Sequence, residues 1–238
     1  MSTPREGAAA PLSNAASGTA PPFGSPSDCA CPPQCAKDRI LQAAQNLFYE
    51  HGIRAVSVDA IAAEADTTKV TLYRVFESKD ALIAECLKDQ TRRFWQWWEA
   101  IVDAHQGQPR AQIEALFDLL ANRICRKEAH RGCPIANSAV ELDDPAHPAA
   151  HVIREHHAEI AKRFRKLCKE MGAREPNVLG DALTLLVTGV FSARIAFENA
   201  EQVKSVAEAA KALLDSPALG APEAAKAQRA KAPRPKAP

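Results

Sequence analysis

The sequence predicts an all-α fold of about nine helices, a small three-helix head followed by a larger helical body. Three observations lead there. Apolar residues return at i, i+3, i+4 and i+7, the spacing of one helix face. No stretch reads as the strict apolar/polar alternation of a half-buried strand. Ser, Thr, Pro and Gly stand at the borders of the periodic runs, where helices start and stop.

The first helix is carried by Ile40, Ala43, Ala44, Leu47 and Phe48, and "HG" at His51-Gly52 ends it. Ser57 then stands as an N-cap before Val58, Ile61, Ala62 and Ala65, a helix of barely two turns. Asp66 and Thr67 form a tight corner, and Thr68 caps a third short helix that turns Leu72 and Phe76 inward. Ser78 caps a longer helix through Leu82, Ile83, Leu87, Phe94, Trp97 or Trp98, and Ile101. Pro109 opens the next, with Ile113, Leu116, Phe117, Leu120 and Ile124 on one face, and "HRGCP" breaks it. The short piece "IANSAVEL" follows. "DDPAHP" starts a long helix bearing Ile153, Ile160, Phe164, Leu167 and Met171, which Gly172 stops. Pro176 begins an apolar helix, and a last amphipathic piece lies near Val203 to Leu214.

The chain has 238 residues, 46% of them hydrophobic and 25% charged, which suits a globular body with a proper core. Its formal net charge is +1, so any basic surface must be local. Residues 1–36 are rich in Ala, Pro, Ser and Gly, and 216–238 in Ala, Pro and Lys. Neither offers enough apolar surface to offset chain entropy, so a disordered arm and a disordered basic tail are expected. The first thirty residues lack the apolar core of a secretory signal. The most membrane-like run, Val178 to Phe197, holds Asp181 and Arg194, so it reads as a buried or interface helix and no membrane partner is expected. Seven cysteines in a chain without an export signal point to reduced thiols in a cytoplasm.

The chemistry lies in the head, at "EADTTKVTLYRVFESKD". Two short helices joined by a tight turn match a helix-turn-helix, whose second helix can enter the major groove of DNA. That helix is too short to persist alone. Packing of Leu72 and Phe76 must hold it, leaving Lys69, Val70, Thr71, Tyr73 and Arg74 outward. Cations neutralise phosphates, and Thr and Tyr hydroxyls donate to phosphate oxygens. Ser57 and Lys79 stand at helix starts, where backbone N–H groups favour an anion.

The run from Arg39 to Leu82, "RILQAAQNLFYEHGIRAVSVDAIAAEADTTKVTLYRVFESKDAL", resembles the N-terminal domain of the tetracycline-repressor (TetR) family of transcription regulators. "GCPIANSAVEL", Gly132 to Leu142, is similar to a segment in the ligand-binding body of many members. The resemblance implies a helix-turn-helix DNA-binding domain over 37–82 and a helical ligand-binding and dimerisation domain over 83–215. It implies a homodimer paired through the helices near 147–171 and 176–199. It places Thr68, Lys69, Thr71, Tyr73, Arg74 and Lys79 against double-stranded DNA at a palindromic operator. Three departures stand out. Val70 occupies a position where Gly is common, Val75 one where His or another polar residue is frequent, and Asp66 replaces the usual Gly. Val70 is open to two readings, contact with a thymine methyl or reduced affinity. Acids also outnumber bases between Lys37 and Asp89, so the charges must be segregated by face.

Candidates for an effector pocket are Phe94, Trp97, Trp98, Phe117 and Asn137, against a core-packing alternative for the aromatic residues. They suit an apolar or aromatic small molecule. "CACPPQC" (Cys29, Cys31, Cys35) lacks a fourth ligand and the common zinc spacing. Cys125, His130 and Cys133 read as ordinary thiols and a histidine. His147, His151 and Glu155 share helical spacing but read as a polar face. No metal or cofactor is expected. No catalytic motif is present, so the reading is a regulator and not an enzyme. A ligand-responsive dimeric repressor leads. The alternatives are a helical binding or scaffold protein whose head has lost DNA affinity, and a thiol or metal enzyme or sensor.

Overall fold

The computed structural model describes residues 36–124, 132–196 and 200–221. The cysteines at 29, 31, 35 and 125, His130 and residues 222–238 of the basic tail lie outside the described residues, as do the side chains at 123–124, 191–196 and 200–204. Residues 216–221, which the sequence assigns to a disordered tail, instead form a turn that packs Leu219 on the body core and accepts the Arg174 N–H on the Leu219 carbonyl at 3.2 Å. Among the described residues there are nine helices and no strand. They are α1 (Ala36–His51), α2 (Val58–Glu64), α3 (Lys69–Val75), α4 (Lys79–Ala104), α5 (Pro109–Ile124), α6 (Pro134–Glu141), α7 (Pro148–Met171), α8 (Pro176–Ala196) and α9 (Ala200–Asp215). Helix α1 begins at Ala36, which the sequence assigns to the arm, and α9 begins at Ala200, a turn before the expected Val203. Both shifts fall at helix ends, where propensity is weakest as a guide. Among the described residues, no helix is long and apolar enough to cross a membrane.

Two apolar clusters organise the chain. Ile40, Ala44, Ile61, Leu72 and Leu82, all at 0% exposure, form the centre of the head. The body cluster centres on Phe94, Trp98, Phe117 and Phe164 and takes in α5, α7, α8 and α9. Helix α4 serves both: Leu82 and Cys86 point into the head, while Ile83 and Leu87 point into the body. The expected boundary at residue 82 therefore falls inside one continuous helix whose two faces serve different cores. In the body α7 and α8 approach so closely that a Cβ on Gly180 would lie 2.7 Å from the Arg165 backbone nitrogen.

The cross-brace between α1 and α4 is polar. Gln45 donates to Asp89 at 2.9 Å, and Arg93 meets the same carboxylate at 2.9 Å. Arg92 is also paired with it. Burial alone raises the Asp89 pKa, but the Gln45 hydrogen bond and the two guanidinium groups outweigh it and hold the carboxyl below its ordinary range. A folded-state pKa below the unfolded value means the brace contributes above the unfolded pKa, about 3.9. That contribution is lost as pH falls through the folded value. Asp89→Asn should therefore be less stable than wild type at neutral pH, with the gap closing on acidification below about pH 4. Thermal melts of both proteins across that range are the check.

Candidate nucleic-acid interface

The helix-turn-helix is built from local hydrogen bonds that its residue types supply. Ser57 accepts the Ala60 N–H at 3.1 Å and starts α2. The Ala65 and Thr67 N–H groups bond to Ile61 and Ala62 carbonyls at 3.0 and 2.9 Å and close the helix. Asp66 then takes a φ of +47°, the left-handed corner that Asp tolerates better than most residues. Thr68 accepts the Thr71 N–H at 3.1 Å and starts α3. Leu72 at 0% exposure and Phe76 at 6% clamp α3 onto the head core.

The other side of α3 faces solvent. Val70 is 78% exposed and Tyr73 44%, three residues apart on one helix face. Arg74 is exposed and enters no ion pair among the described residues. Lys69 is also exposed, with its ammonium 3.1 Å from Asp59. The hydroxyls of Thr68 and Thr71 lie 3.0 Å apart and bond to each other. At the corner, Arg39 stands 3.7 Å from Asp66. Thus Lys69, Val70, Tyr73 and Arg74 stand exposed along α3, Thr68 and Ser57 are exposed at the starts of α3 and α2, and Thr71 is half-buried.

Lys79 differs from the expectation. It is half-buried, its Nζ donates to the Ile53 carbonyl at 2.7 Å, and its ammonium lies 5.8 Å from the Phe48 ring centre. Burial lowers its pKa, partly offset by Asp80 and Glu141. The cation thus braces the loop between α1 and α2 instead of standing free at the start of α4.

That loop is also held from the body, by residues that sequence reasoning passed over. The Glu141 carboxylate accepts the backbone N–H groups of Ile53 at 2.7 Å and Arg54 at 3.1 Å. Arg54 returns a hydrogen bond from Nε to the Glu141 carbonyl at 3.0 Å and pairs with Asp143 at 3.1 Å. His147 caps α7 by accepting the Ala149 N–H on Nδ1 at 3.0 Å, and its Nε2 faces the Asp80 carboxylate at 3.3 Å. The motif "GCPIANSAVEL" contains Glu141, but no local spacing announces a partner 88 residues away. Gly52 (φ +85°) permits the fit, since a Cβ there would lie 3.1 Å from both Glu141 carboxylate oxygens. Gly52→Ala should cost about 1–2 kcal/mol from the left-handed backbone alone. A denaturant titration reads it directly.

The effector-pocket candidates separate. Phe94, Trp98 and Phe117 are 2%, 3% and 1% exposed and pack into the body core. Trp98 meets Phe164 edge-on at 4.9 Å, and Phe117 lies 5.8 Å from the same ring. The core-packing alternative describes these three, because their size and apolar surface are satisfied by one another. Trp97 is half-buried beside Phe94. Asn137 lines a cavity of about 30 Å³ between α1, α4 and α6, with Tyr49, Cys86, Gln90 and Glu141 among its other walls. That volume has room for about two waters and is well below the size of a drug-like ligand site. His156, 3% exposed, sits 4.8 Å from the Phe94 ring, and burial pushes its pKa down to about 3. His147 is occupied by α4, while His151 pairs with Glu155 at 3.2 Å, so the three do not converge.

Residues 40–86 match the family model described as bacterial regulatory proteins, tetR family. The chain is 24% identical over 138 residues to the HTH-type transcriptional repressor ComR of Escherichia coli strain K12, covering 58% of this chain and 66% of ComR. It is 29% identical over 109 residues to an HTH-type regulator of Lactococcus lactis, covering 44% of this chain and 54% of that protein. The chain thus spans about half to two thirds of the length of these curated relatives. Among solved structures it resembles SCO4454, a TetR-family transcriptional regulator from Streptomyces coelicolor. The identity there is 30%, the TM-score 0.65, and the match covers 74% of this chain and 92% of that one. At that identity, over nearly the whole of that regulator, the likeness extends past the head through the body, and this chain belongs to the TetR family of transcriptional regulators and is not an enzyme.

Proposed function

We propose that this protein is a dimeric repressor that binds a palindromic operator through two helix-turn-helix heads and is released by a small apolar or aromatic molecule. One observation carries the reading. A seven-residue helix is held entirely by its inner face and presents Val70, Tyr73, Arg74 and Lys69 to solvent. Such a helix has no packing reason to expose a valine and a tyrosine together. Ser57, Thr68 and Thr71 flank it at the rim, and the inward-turned Lys79 fixes the loop behind it.

The dimer reading rests on α8. Val178 and Leu185 are 53% and 72% exposed, and with Ala182 and Gly189 they fall at i, i+4, i+7 and i+11, one seam along the helix. A second copy of the same seam would cover it, giving an isologous pairing. Ligand release follows if the effector prefers a body conformation that sets the heads at another spacing, the shift being its differential affinity for the two states.

The test is a duplex selected from a random pool with the full chain, then titrated at about 50 and 200 mM salt. Affinity should fall roughly 10³-fold between them if about six phosphates are neutralised. Absence of binding at both salts would instead favour the scaffold alternative, which draws support from the Lys69–Asp59 and Arg39–Asp66 pairs that already neutralise two head cations.

Val70 gives a finer expectation. The only apolar group in the major groove is the thymine methyl. Replacing a contacted thymine by uracil should weaken binding about 4-fold per half-site, the value of one buried methyl. The same replacement should make no difference to Val70→Ala. Competition titrations with the two duplexes measure this.

A further inference from the structure

We propose that Glu141 is a positioning residue for DNA recognition: from the end of α6 it fixes the angle at which the body presents the head, and thereby the spacing of the two heads in a dimer. The inference rests on the DNA-binding reading above.

The argument is geometric. Helix α4 is the covalent link from head to body and supplies buried residues to both cores, with Phe48 of α1 packed against both as well. A single helical connection resists stretching but leaves bending and rotation to be decided by side contacts. The second attachment lies off that axis. Glu141 accepts from Ile53 and Arg54 backbone nitrogens, in the loop between α1 and α2. Backbone donors make the attachment stiff, because no side-chain rotamer can swing them away. The missing Cβ of Gly52 lets the carboxylate sit directly against the chain.

The charges around it reinforce the same join. Arg54 reaches back to the Glu141 carbonyl and to Asp143. Lys79 ties the Ile53 carbonyl to the start of α4 and feels the Glu141 charge. Asp80 on α4 meets His147 at the start of α7. The segment 141–147 therefore grips the head at two places, one on the α1–α2 loop and one on α4. Any movement of α6 in the body is delivered to the head at Ile53 and Arg54.

This predicts a signature that a merely stabilising residue lacks. Two heads bind together only if they meet successive grooves, about 34 Å apart. Wild type should discriminate strongly, by roughly tenfold or more, against operators with one base pair added or removed between half-sites. Glu141→Ala should lose about tenfold on the native spacing, lose less than about twofold on the altered spacings, and bind an isolated half-site unchanged. Equal losses on every duplex, half-site included, would overturn the proposal, as would no loss at all. Circular dichroism establishes that the variant is folded. If it is not, Glu141→Asp, whose shorter side chain draws the carboxylate away from the Ile53 and Arg54 nitrogens while keeping the charge, carries the same comparison.

A second measurement needs no DNA. Spin labels carried by unnatural amino acids at the exposed positions of Ala63 and Lys162 report the head-to-body distance. Glu141→Ala should broaden that distribution, and an unchanged distribution would overturn the proposal. If wild type binds no duplex, the repressor reading fails while this arm still decides whether Glu141 sets the head.

Discussion

Leu72→Ala is expected to abolish duplex binding while the helical body stays folded. Leu72 is fully buried and is the main apolar anchor of α3. A seven-residue helix cannot offset its nucleation cost alone, so α3 exists because that side chain packs on α1 and α2. Truncating a buried leucine to alanine costs about 2–5 kcal/mol, from lost transfer energy and the cavity left behind. Against a typical domain stability of about 5–15 kcal/mol, that is a large fraction spent on one small cluster. The head cluster is separate from the body cluster, so the loss falls on the head. The expected record is a low-temperature transition in a thermal melt, most helical signal retained above it, and no operator shift in a duplex titration. Val70→Ala is the control: it lies on solvent, so its stability should stay within about 0.5 kcal/mol of wild type. Full duplex affinity in Leu72→Ala would remove the claim that packing on the inner face makes the outer face.

Trp98→Ala is expected to destabilise the body by about 3–5 kcal/mol, the range for a large buried aromatic. Trp98 is 3% exposed and meets Phe164 at 4.9 Å, Trp95 at 5.7 Å and Phe94 at 6.0 Å. Phe164 belongs to α7, so this contact ties the helix that leaves the head to the helix beside α8, where the dimer seam is proposed. The result also separates two readings of "FWQWW". A side chain lining an open ligand pocket has few neighbours to lose, and its truncation costs little. One wedged among three rings leaves a cavity that the surroundings cannot close. Trp97, half-buried and touching Phe94 at 5.6 Å, should cost clearly less than Trp98. Denaturant midpoints for the two variants, with unchanged slope, provide the comparison.

Most of the head was open to reading in the sequence because its instructions are local. Ser57, Thr68 and Ser78 each satisfy an N–H three residues on. A left-handed Asp66 closes the corner, and apolar spacing aims Leu72 inward. All of these act within one helical turn, so residue type and spacing suffice. The candidate surface from Ser57 to Arg74 follows from the same rules. Lys79 did not, because its partner is a carbonyl on a loop 26 residues earlier, brought near only when α4 packs.

The body shows where that logic stops. Periodicity identifies the apolar face of α4 but not which neighbour fills it. Phe94 and Trp98 pack in the core, and Asn137 alone of the five pocket candidates lines the described cavity. The grip of Glu141 on Ile53 and Arg54 is the extreme case. A glutamate at the end of a short amphipathic helix has the local look of any solvated acid.

What the sequence by itself determined, then, was the run of helices, their caps and corners, and the side of each that turns inward, since these depend on atoms a few residues apart. What only the tertiary structure decided was which distant groups meet: Glu141 with the head loop, His147 with Asp80, Trp98 with Phe164. Those meetings depend on how whole helices settle against each other, a sum over many weak contacts in which no single residue's identity names its partner.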